Sequence, residues 1–478
     1  MNNMALINKK YPVAGVLLLL PILFLPCHSQ KPEGIPAYAS VSTLVKDLET
    51  GKELAAHLPE KNRLTASLMK LLTTATALEI LGKEFRFSTK FRISGSVSNG
   101  TLHGNLIIEG GGDPSLGSHY FPHHSPDSIL LRVKQILLEK GIKDISGSIL
   151  VDEHYIQGSR YPSRRLWEDM GNYYGAPPAA LSWRDNTLKV TLKSPKITGE
   201  KCHVISVSPQ TDNLFFESHV FSAAHNRDSA YIYGIPGLDT WEIRGSIPAG
   251  RNHFTIKGAM PEPGLTFAAE VAAMMSKDGD ISVQKLTSPS QQENTQFVGE
   301  ILSPPLSEII NAINHHSINL AADHLLIAMG KIKASKTLSE WDAGLQQIRH
   351  HWQNSDKPFF FNIKDGSGLA PQNALSPAFL VEMLTTIYQD SLLFETFKNS
   401  LAISGESGTL KYFGKQAPLK GIIYGKSGSM KDVLGYAGYI FRDNEHPLVF
   451  CVMVNHHGKK NSYIRKCIED WLIKIIQQ

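Results

Sequence analysis

Cysteine is scarce in this chain: four among 478 residues, at 27, 202, 451 and 467, with no Cys-x-x-Cys pair. That excludes a fold built on disulfides. Cys451 lies in an apolar strand-like run and Cys467 in a helical one, so both read as core residues. An excess of one charge is also missing. Forty-eight Lys+Arg against 44 Asp+Glu leave only +4, spread without long runs, so no nucleic-acid partner is expected. Histidine pairs at 123–124, 315–316, 350–351 and 456–457 contain no His-Glu-x-x-His and lack acidic partners at ligand spacing. No metal and no cofactor is therefore expected. Internal repeats and low-complexity stretches are absent. What remains, 42% apolar and 19% charged, is an ordinary globular composition with enough chain for about three domains.

Only one long hydrophobic run occurs. Lys9 and Lys10 precede Val13 to Leu25, which is broken by Pro21 and is short for a bilayer span. Residues 1–29 read as a secretory signal, with Cys27 and Ser29 as the small residues of a cleavage site. The alternative is a lipidated Cys27, although Pro26 stands where a small residue is expected. Either way the chain is expected to be exported to the periplasm or cell envelope, with at most a peripheral or lipid-anchored association with a membrane.

The stretch from Leu64 to Gly82 organises the rest. Leu68, Leu71, Leu72, Ala75, Leu78 and Leu81 recur at helical spacing and predict one buried stripe, with Gly82 as the stop. Ser67 and Lys70 are three apart, so a helix places them on one face with the amine in reach of the hydroxyl. A serine hydroxyl is a weak nucleophile until a neighbour takes its proton. Burial and the positive end of a helix both favour a neutral lysine, and the same dipole favours negative charge on the serine oxygen. Taken alone, the spacing recurs by chance, and the plain reading is a capping or surface serine beside an unrelated lysine.

Along the chain, Ser40 to Leu54 reads as two strands around Glu49-Thr50-Gly51. Beyond Ile93 come short alternating runs such as Leu106 to Glu109 and Ser148 to Asp152, with a helical Ile129 to Glu139 between them. Gly110-Gly-Gly-Asp-Pro114 resembles a phosphate loop but lacks the Gly-Lys-Ser/Thr ending, so it reads as a tight turn. Thr187 to Lys257 is rich in strand-like runs and reads as a small β module. Helices are expected at Leu265 to Ser276, Leu306 to Ile313, Ser317 to Met329 and Tyr463 to Ile476. A hairpin is expected around Asn444-Glu445.

Two further clusters give Ser67 and Lys70 company: Ser317-Ile318-Asn319, of the form Ser-x-Asn, and Lys426-Ser427-Gly428 followed by Ser429. In this order they match the three-part signature of penicillin-binding proteins and serine β-lactamases. The 247 residues from Lys70 to Ser317 are more than β-lactamases place there. The chain thus resembles the D-alanyl-D-alanine carboxypeptidase/endopeptidase family of low-molecular-mass penicillin-binding proteins (peptidase family S13, the DacB type). Gly110 to Pro114, Tyr173-Tyr-Gly-Ala-Pro177, Ala180-Leu-Ser-Trp183, Leu302-Ser-Pro-Pro-Leu306 and Asp365-Gly-Ser-Gly-Leu369 extend the resemblance along nearly the whole mature chain. Ser427 departs from the usual threonine but keeps the hydroxyl.

The resemblance implies an α/β (α+β) fold: a β-lactamase/transpeptidase-like domain with an antiparallel sheet flanked by helices, and a large, mostly β insert carrying a nested β module. Its boundaries are expected at residues 30–95 and 295–478 for the catalytic domain, 96–185 and 259–294 for the insert, and 186–258 for the module. It further implies that Ser67 attacks the carbonyl between the two terminal D-alanines of a peptidoglycan stem peptide, with Lys70 as base. Ser317 would relay a proton with the help of Lys426, and Asn319 would hold the substrate amide. Backbone N–H groups of Ser67 and Ser429 would form the oxyanion hole. Lys426 and Ser427, with Gly428 and Ser429 on the same strand, would bind the terminal carboxylate. Trp167 and Asp169, in the insert, would face the amine of the third stem residue; the alternative reading is an exposed acidic turn. Expected partners are peptidoglycan stem peptides, with β-lactams as covalent inhibitors. The alternatives are an envelope protein that binds stem peptides or β-lactams without turnover, and a β-lactamase or esterase on the same scaffold.

Overall fold

The computed structural model describes residues 31–477 except 212–213, 236, 277–280, 288–293, 336 and 354–358. The expected signal segment, including Cys27, lies outside the described residues. Among the described residues no helix is long and apolar enough to cross a membrane.

A six-stranded antiparallel sheet joins the two ends of the chain. Its order is Ala402–Ile403, Ile423–Met430, Val433–Ile440, Leu448–Asn455, Ser40–Asp47 and Glu53–His57. The strand Leu448–Asn455 is buried on both faces, which accounts for its unbroken run Leu-Val-Phe-Cys-Val-Met-Val. Leu44, Cys451 and Met453 face one layer of helices, whereas Val45, Phe450 and Val452 face the C-terminal helix Asn461–Ile476 through Ile464, Ile468 and Leu472. This is the expected class, an antiparallel sheet flanked by helices.

The helix Met69–Leu81 lies in the larger of those cores. It does not show the single buried stripe expected: every residue from Met69 to Leu78 is buried. Its threonines are satisfied by backbone carbonyls. Thr74 and Thr76 donate to the carbonyls of Lys70 and Leu72, and Thr73 donates to Gly366 O at 2.7 Å. A helix enclosed on all sides holds its neighbours in fixed positions, because close-packed interiors yield little.

Between the first and last thirds of the chain runs a five-stranded mixed sheet ordered Val283–Lys285, Ile149–Asp152, Leu106–Glu109, Ser88–Ile93 and Gln296–Leu302. Helices Pro126–Glu139 and Pro263–Met275 pack on it. Two three-stranded sheets follow, one of His203–Ser208, Thr187–Lys193 and Phe254–Ala259, the other of Phe215–Ala223, Thr240–Pro248 and Ser229–Tyr233. The glycine-rich turn is a packing device: a Cβ on Gly111 would lie 2.0 Å from Ser88 O, and one on Gly110 2.5 Å from the Ala180 backbone. Cys202 and Cys451 are buried free thiols, and Cys467 is a partly buried one.

Candidate active site

Ser67 sits in a 3-10 turn, Ala66–Leu68, which runs directly into the helix at Met69. Ala66 adopts φ +43. The turn is clasped by Gly368, whose hypothetical Cβ would come 2.0 Å from Ala66 O, so only glycine fits there. Ser67 keeps partial exposure between buried Ala66 and Leu68.

Lys70 is fully buried, with three oxygens around its amine: Ser67 Oγ at 3.0 Å, Asn319 Oδ1 at 2.6 Å and Ser367 O at 2.6 Å. The Asn319 amide is oriented by its other end, since Nδ2 donates to Tyr174 O at 2.9 Å. Asn319 Oδ1 and Ser367 O can only accept. A neutral lysine amine has two N–H groups and one lone pair; the two carbonyl oxygens take the N–H groups, which leaves the lone pair for the Ser67 proton. Burial pulls the Lys70 amine down to about 7; Asp323 and Asp365 oppose that pull, and Arg165 adds to it.

The charges around Lys70 form a closed set. Arg165 is fully enclosed and donates to Asp323 Oδ2 at 2.7 Å, with Asp365 Oδ2 at 3.5 Å. Burial raises the Asp323 carboxyl to about 6 against the pull of Arg165. Asp365 accepts from the N–H groups of Gly368 at 2.7 Å and Ala370 at 2.8 Å, and from Asn373 Nδ2 at 2.8 Å. It thereby shapes the loop that turns Ser367 O toward Lys70. Asp323 is four residues after Asn319 on the helix Asn319–Lys331, so both face Lys70 from one side of that helix.

Ser317 was expected as the first residue of a helix and instead lies in the break between two, Leu306–His316 and Asn319–Lys331, at φ +59 and ψ +42. A non-glycine residue held there costs on the order of 1–3 kcal/mol, and such strain gathers at sites where geometry matters more than stability. The result is that Ser317 Oγ accepts from Lys426 Nζ at 3.0 Å, while Asn319 reaches Lys70. Lys426 is fully buried, donates also to Ser427 O at 2.9 Å, and is lowered well below the ordinary lysine value by burial and by the charge of Lys70.

Lys426 stands on the strand Ile423–Met430, whose alternation puts Lys426 and Gly428 on one face and Ser427 and Ser429 on the other. A Cβ on Gly428 would meet Thr65 O at 2.4 Å and Leu68 N at 2.9 Å, so this strand runs hard against the serine turn. Gly428→Ala is accordingly expected to lower stability by roughly 1–3 kcal/mol through overpacking and to slow acylation of Ser67. Thermal melting and labelling by a fluorescent penicillin check this, and wild-type values in both would remove the proposed contact. Ser429 Oγ accepts from Asn461 Nδ2 at 2.9 Å.

Trp167 and Asp169 share the short helix Trp167–Met170. The Trp167 ring lies 5.2 Å from that of Tyr233, and the Arg244 guanidinium stands 5.8 Å from its centroid. Asp169 is raised by burial against a hydrogen bond with the side chain of Tyr174, whose carbonyl accepts from Asn319, and the charge of Arg165. A cleft of about 680 Å³ opens in front of Ser317 and Asn319, with His316 on its wall. Among the described residues no cluster of His, Cys, Asp or Glu is arranged to hold a metal ion.

Sequence reasoning missed Arg165, Asp323 and Ser367 as members of this site. Asp323 carried a signal, its i+4 spacing from Asn319, and Ser367 lies in the quoted Asp365 to Leu369 stretch. Arg165 carried none.

Chemically, the arrangement sets a partly exposed hydroxyl against a buried amine able to take its proton, beside a second hydroxyl–amine pair. Residues 30–475 match the D-Ala-D-Ala carboxypeptidase 3 (S13) family. The chain is 25% identical to the D-alanyl-D-alanine carboxypeptidase DacB of Haemophilus influenzae, over 89% of this chain and 87% of that protein. It is also 25% identical to the D-alanyl-D-alanine carboxypeptidase of Actinomadura sp. strain R39, over 87% of this chain and 77% of that one. The crystal structure of penicillin binding protein 4 (dacB) from Haemophilus influenzae superposes with a TM-score of 0.78 at 21% identity, covering 92% and 97% of the two chains. By the match along its described length, this chain belongs to the D-Ala-D-Ala carboxypeptidase 3 (S13) family.

Proposed function

We propose that this protein is a serine-type D-Ala-D-Ala carboxypeptidase of the cell envelope, acting on peptidoglycan stem peptides and acylated by penicillins. The observation that carries the reading is the Lys70 amine, 2.6 Å from two carbonyl oxygens and 3.0 Å from Ser67 Oγ, which in its neutral form leaves the lone pair for that hydroxyl. Ser67 Oγ attacks the carbonyl of the penultimate D-alanine while its proton passes to Lys70. The C–N bond breaks, and the leaving amine takes a proton through Ser317, which Lys426 supports from 3.0 Å. Water then cleaves the ester and restores Ser67. The N–H groups of Ser67 and Ser429 are assigned to the developing oxyanion, each such donor typically being worth about 3–4 kcal/mol. Lys426 and Ser427 are assigned to the terminal carboxylate, with Gly428 and Ser429 beside them, and Asn319 to the substrate amide. Trp167 and Asp169 are assigned to the amine-bearing third residue, with Asp169 as its counter-charge. A β-lactam enters the same path, but its opened ring keeps the leaving nitrogen tethered to the acyl group.

Endopeptidase cleavage of D-alanyl cross-links is part of the proposal, because it breaks the same kind of bond with a larger leaving amine. So is the domain division at residues 30–95 and 295–478, 96–185 and 259–294, and 186–258. Incubation with a fluorescent penicillin is expected to place one label on the peptide containing Ser67, and a stem pentapeptide is expected to release D-alanine. Absence of D-alanine release from a labelled protein would favour the non-catalytic binder, and faster turnover of nitrocefin than of peptide would favour the β-lactamase.

A further inference from the structure

Three antiparallel strands of the small β module, His203–Ser208, Thr187–Lys193 and Phe254–Ala259, lie side by side with Thr187–Lys193 in the middle. Their register sets Ser208, Lys189 and Lys257 in one row across the sheet. Residues directly opposite in such a pair hold their Cβ atoms about 4.5–5.5 Å apart on the same face, and like charges there are destabilising. Lys189 and Lys257 are exposed, and neither forms an ion pair among the described residues. The ammonium of Lys257 stands 5.6 Å from the centroid of the Tyr173 ring, which faces it without neutralising it. The pairing of the two lysines with each other is repulsive.

The row does not look onto open solvent. Ser208, Lys189, Lys257 and Tyr173 line the same 680 Å³ cleft as Ser317 and Asn319. Other charged groups on that wall are already engaged: Asp185 with His119 Nδ1 at 2.6 Å, and Arg184 with Glu270 at 2.8 Å. Two uncompensated ammonium groups thus share a cavity with Ser317 and Asn319, an arrangement that raises the local concentration of an anionic substrate.

We propose that Lys189 and Lys257 form a carboxylate-binding ledge for the stem peptide, taking a carboxylate other than the terminal one assigned to Lys426 and Ser427. The ledge deepens the D-Ala-D-Ala reading and rests on it for the identity of the ligand. It makes the β module a substrate-reading part of the protein, engaged by an extended acidic peptide and bypassed by a small β-lactam.

The test separates the two claims. In a Ser67→Ala background, which stops turnover, a stem pentapeptide with free carboxylates is titrated against proteins with and without Lys189→Ser and Lys257→Ser. The dissociation constant is expected to rise roughly three- to tenfold in the double-serine protein, in keeping with exposed charge pairs. A pentapeptide whose non-terminal carboxylates are amidated is expected to bind both proteins alike. Thermal melting of the double-serine protein should hold or rise, since a like-charge pair has been removed. Equal weakening for the amidated peptide, or no weakening for the acidic one, would overturn the ledge. Penicillin labelling of proteins that keep Ser67 judges the acyl-transfer reading on its own: it should proceed at the same rate with and without the two lysines. A wild-type protein that takes no label counts against the chemistry, while the binding data still decide the ledge.

Discussion

Replacing Lys70 with methionine is expected to slow penicillin acylation of Ser67 by roughly 10²- to 10⁴-fold, the range that a positioned general base contributes. Methionine nearly fills the same buried volume but has no lone pair basic enough to take the serine proton. It also leaves Asn319 Oδ1 and Ser367 O without their donor, at a cost of about 1–3 kcal/mol for each buried acceptor left unpaired, offset in part because no amine is then desolvated. Melting temperature is therefore measured alongside, and a variant that melts cooperatively yet takes label at the wild-type rate would dismiss Lys70 as the base. The wild-type rate carries a pH signature of the same claim. The protonated amine offers no lone pair, and burial brings Lys70 down to about 7, so the acylation rate should rise as pH increases through about 7. That inflection should be missing from the residual rate of Lys70→Met.

Arg165→Met is expected to do two things at once. Arg165 is the counter-ion of Asp323 and Asp365 in a space closed to solvent, and removing one member of a buried charge set costs on the order of 3–5 kcal/mol. Denaturant or thermal unfolding reads that loss. The second effect is on chemistry. Arg165 depresses the Lys70 amine and the two carboxylates raise it. Without the guanidinium the inflection near 7 should move to higher pH, and acylation at neutral pH should slow. Asp323→Asn removes a negative charge instead and should move the same inflection to lower pH. Opposite displacements identify Arg165 and Asp323 as positioning residues that set the lysine's proton affinity. An inflection that stays in place in both variants would reduce the charge set to a structural role.

The division between what was legible and what was not follows from the range of each interaction. Ser67 and Lys70 could be paired from the sequence because a helical spacing of three guarantees their proximity, whatever the rest of the chain does. Ser-x-Asn and Lys-Ser-Gly were recognisable as motifs, and the class of the fold came with them. The all-round burial of the Met69–Leu81 helix was not legible, because its threonines look polar until their hydroxyls are seen bonded to their own backbone. Nor was the left-handed backbone of Ser317, which was read as the first residue of the second helix rather than as the turn between the two.

By itself, then, the order of residues determined which motifs are present and that a helix follows Ser67 and carries Lys70, since those depend on neighbours a few positions away. Only the tertiary structure decided the state of those groups. Arg165 reaches Asp323 across 158 positions, and Lys70 meets Ser367 O across 297, distances over which no periodicity speaks. An amine's proton affinity is set by the burial and charges around it, and those exist only once the chain has closed on itself.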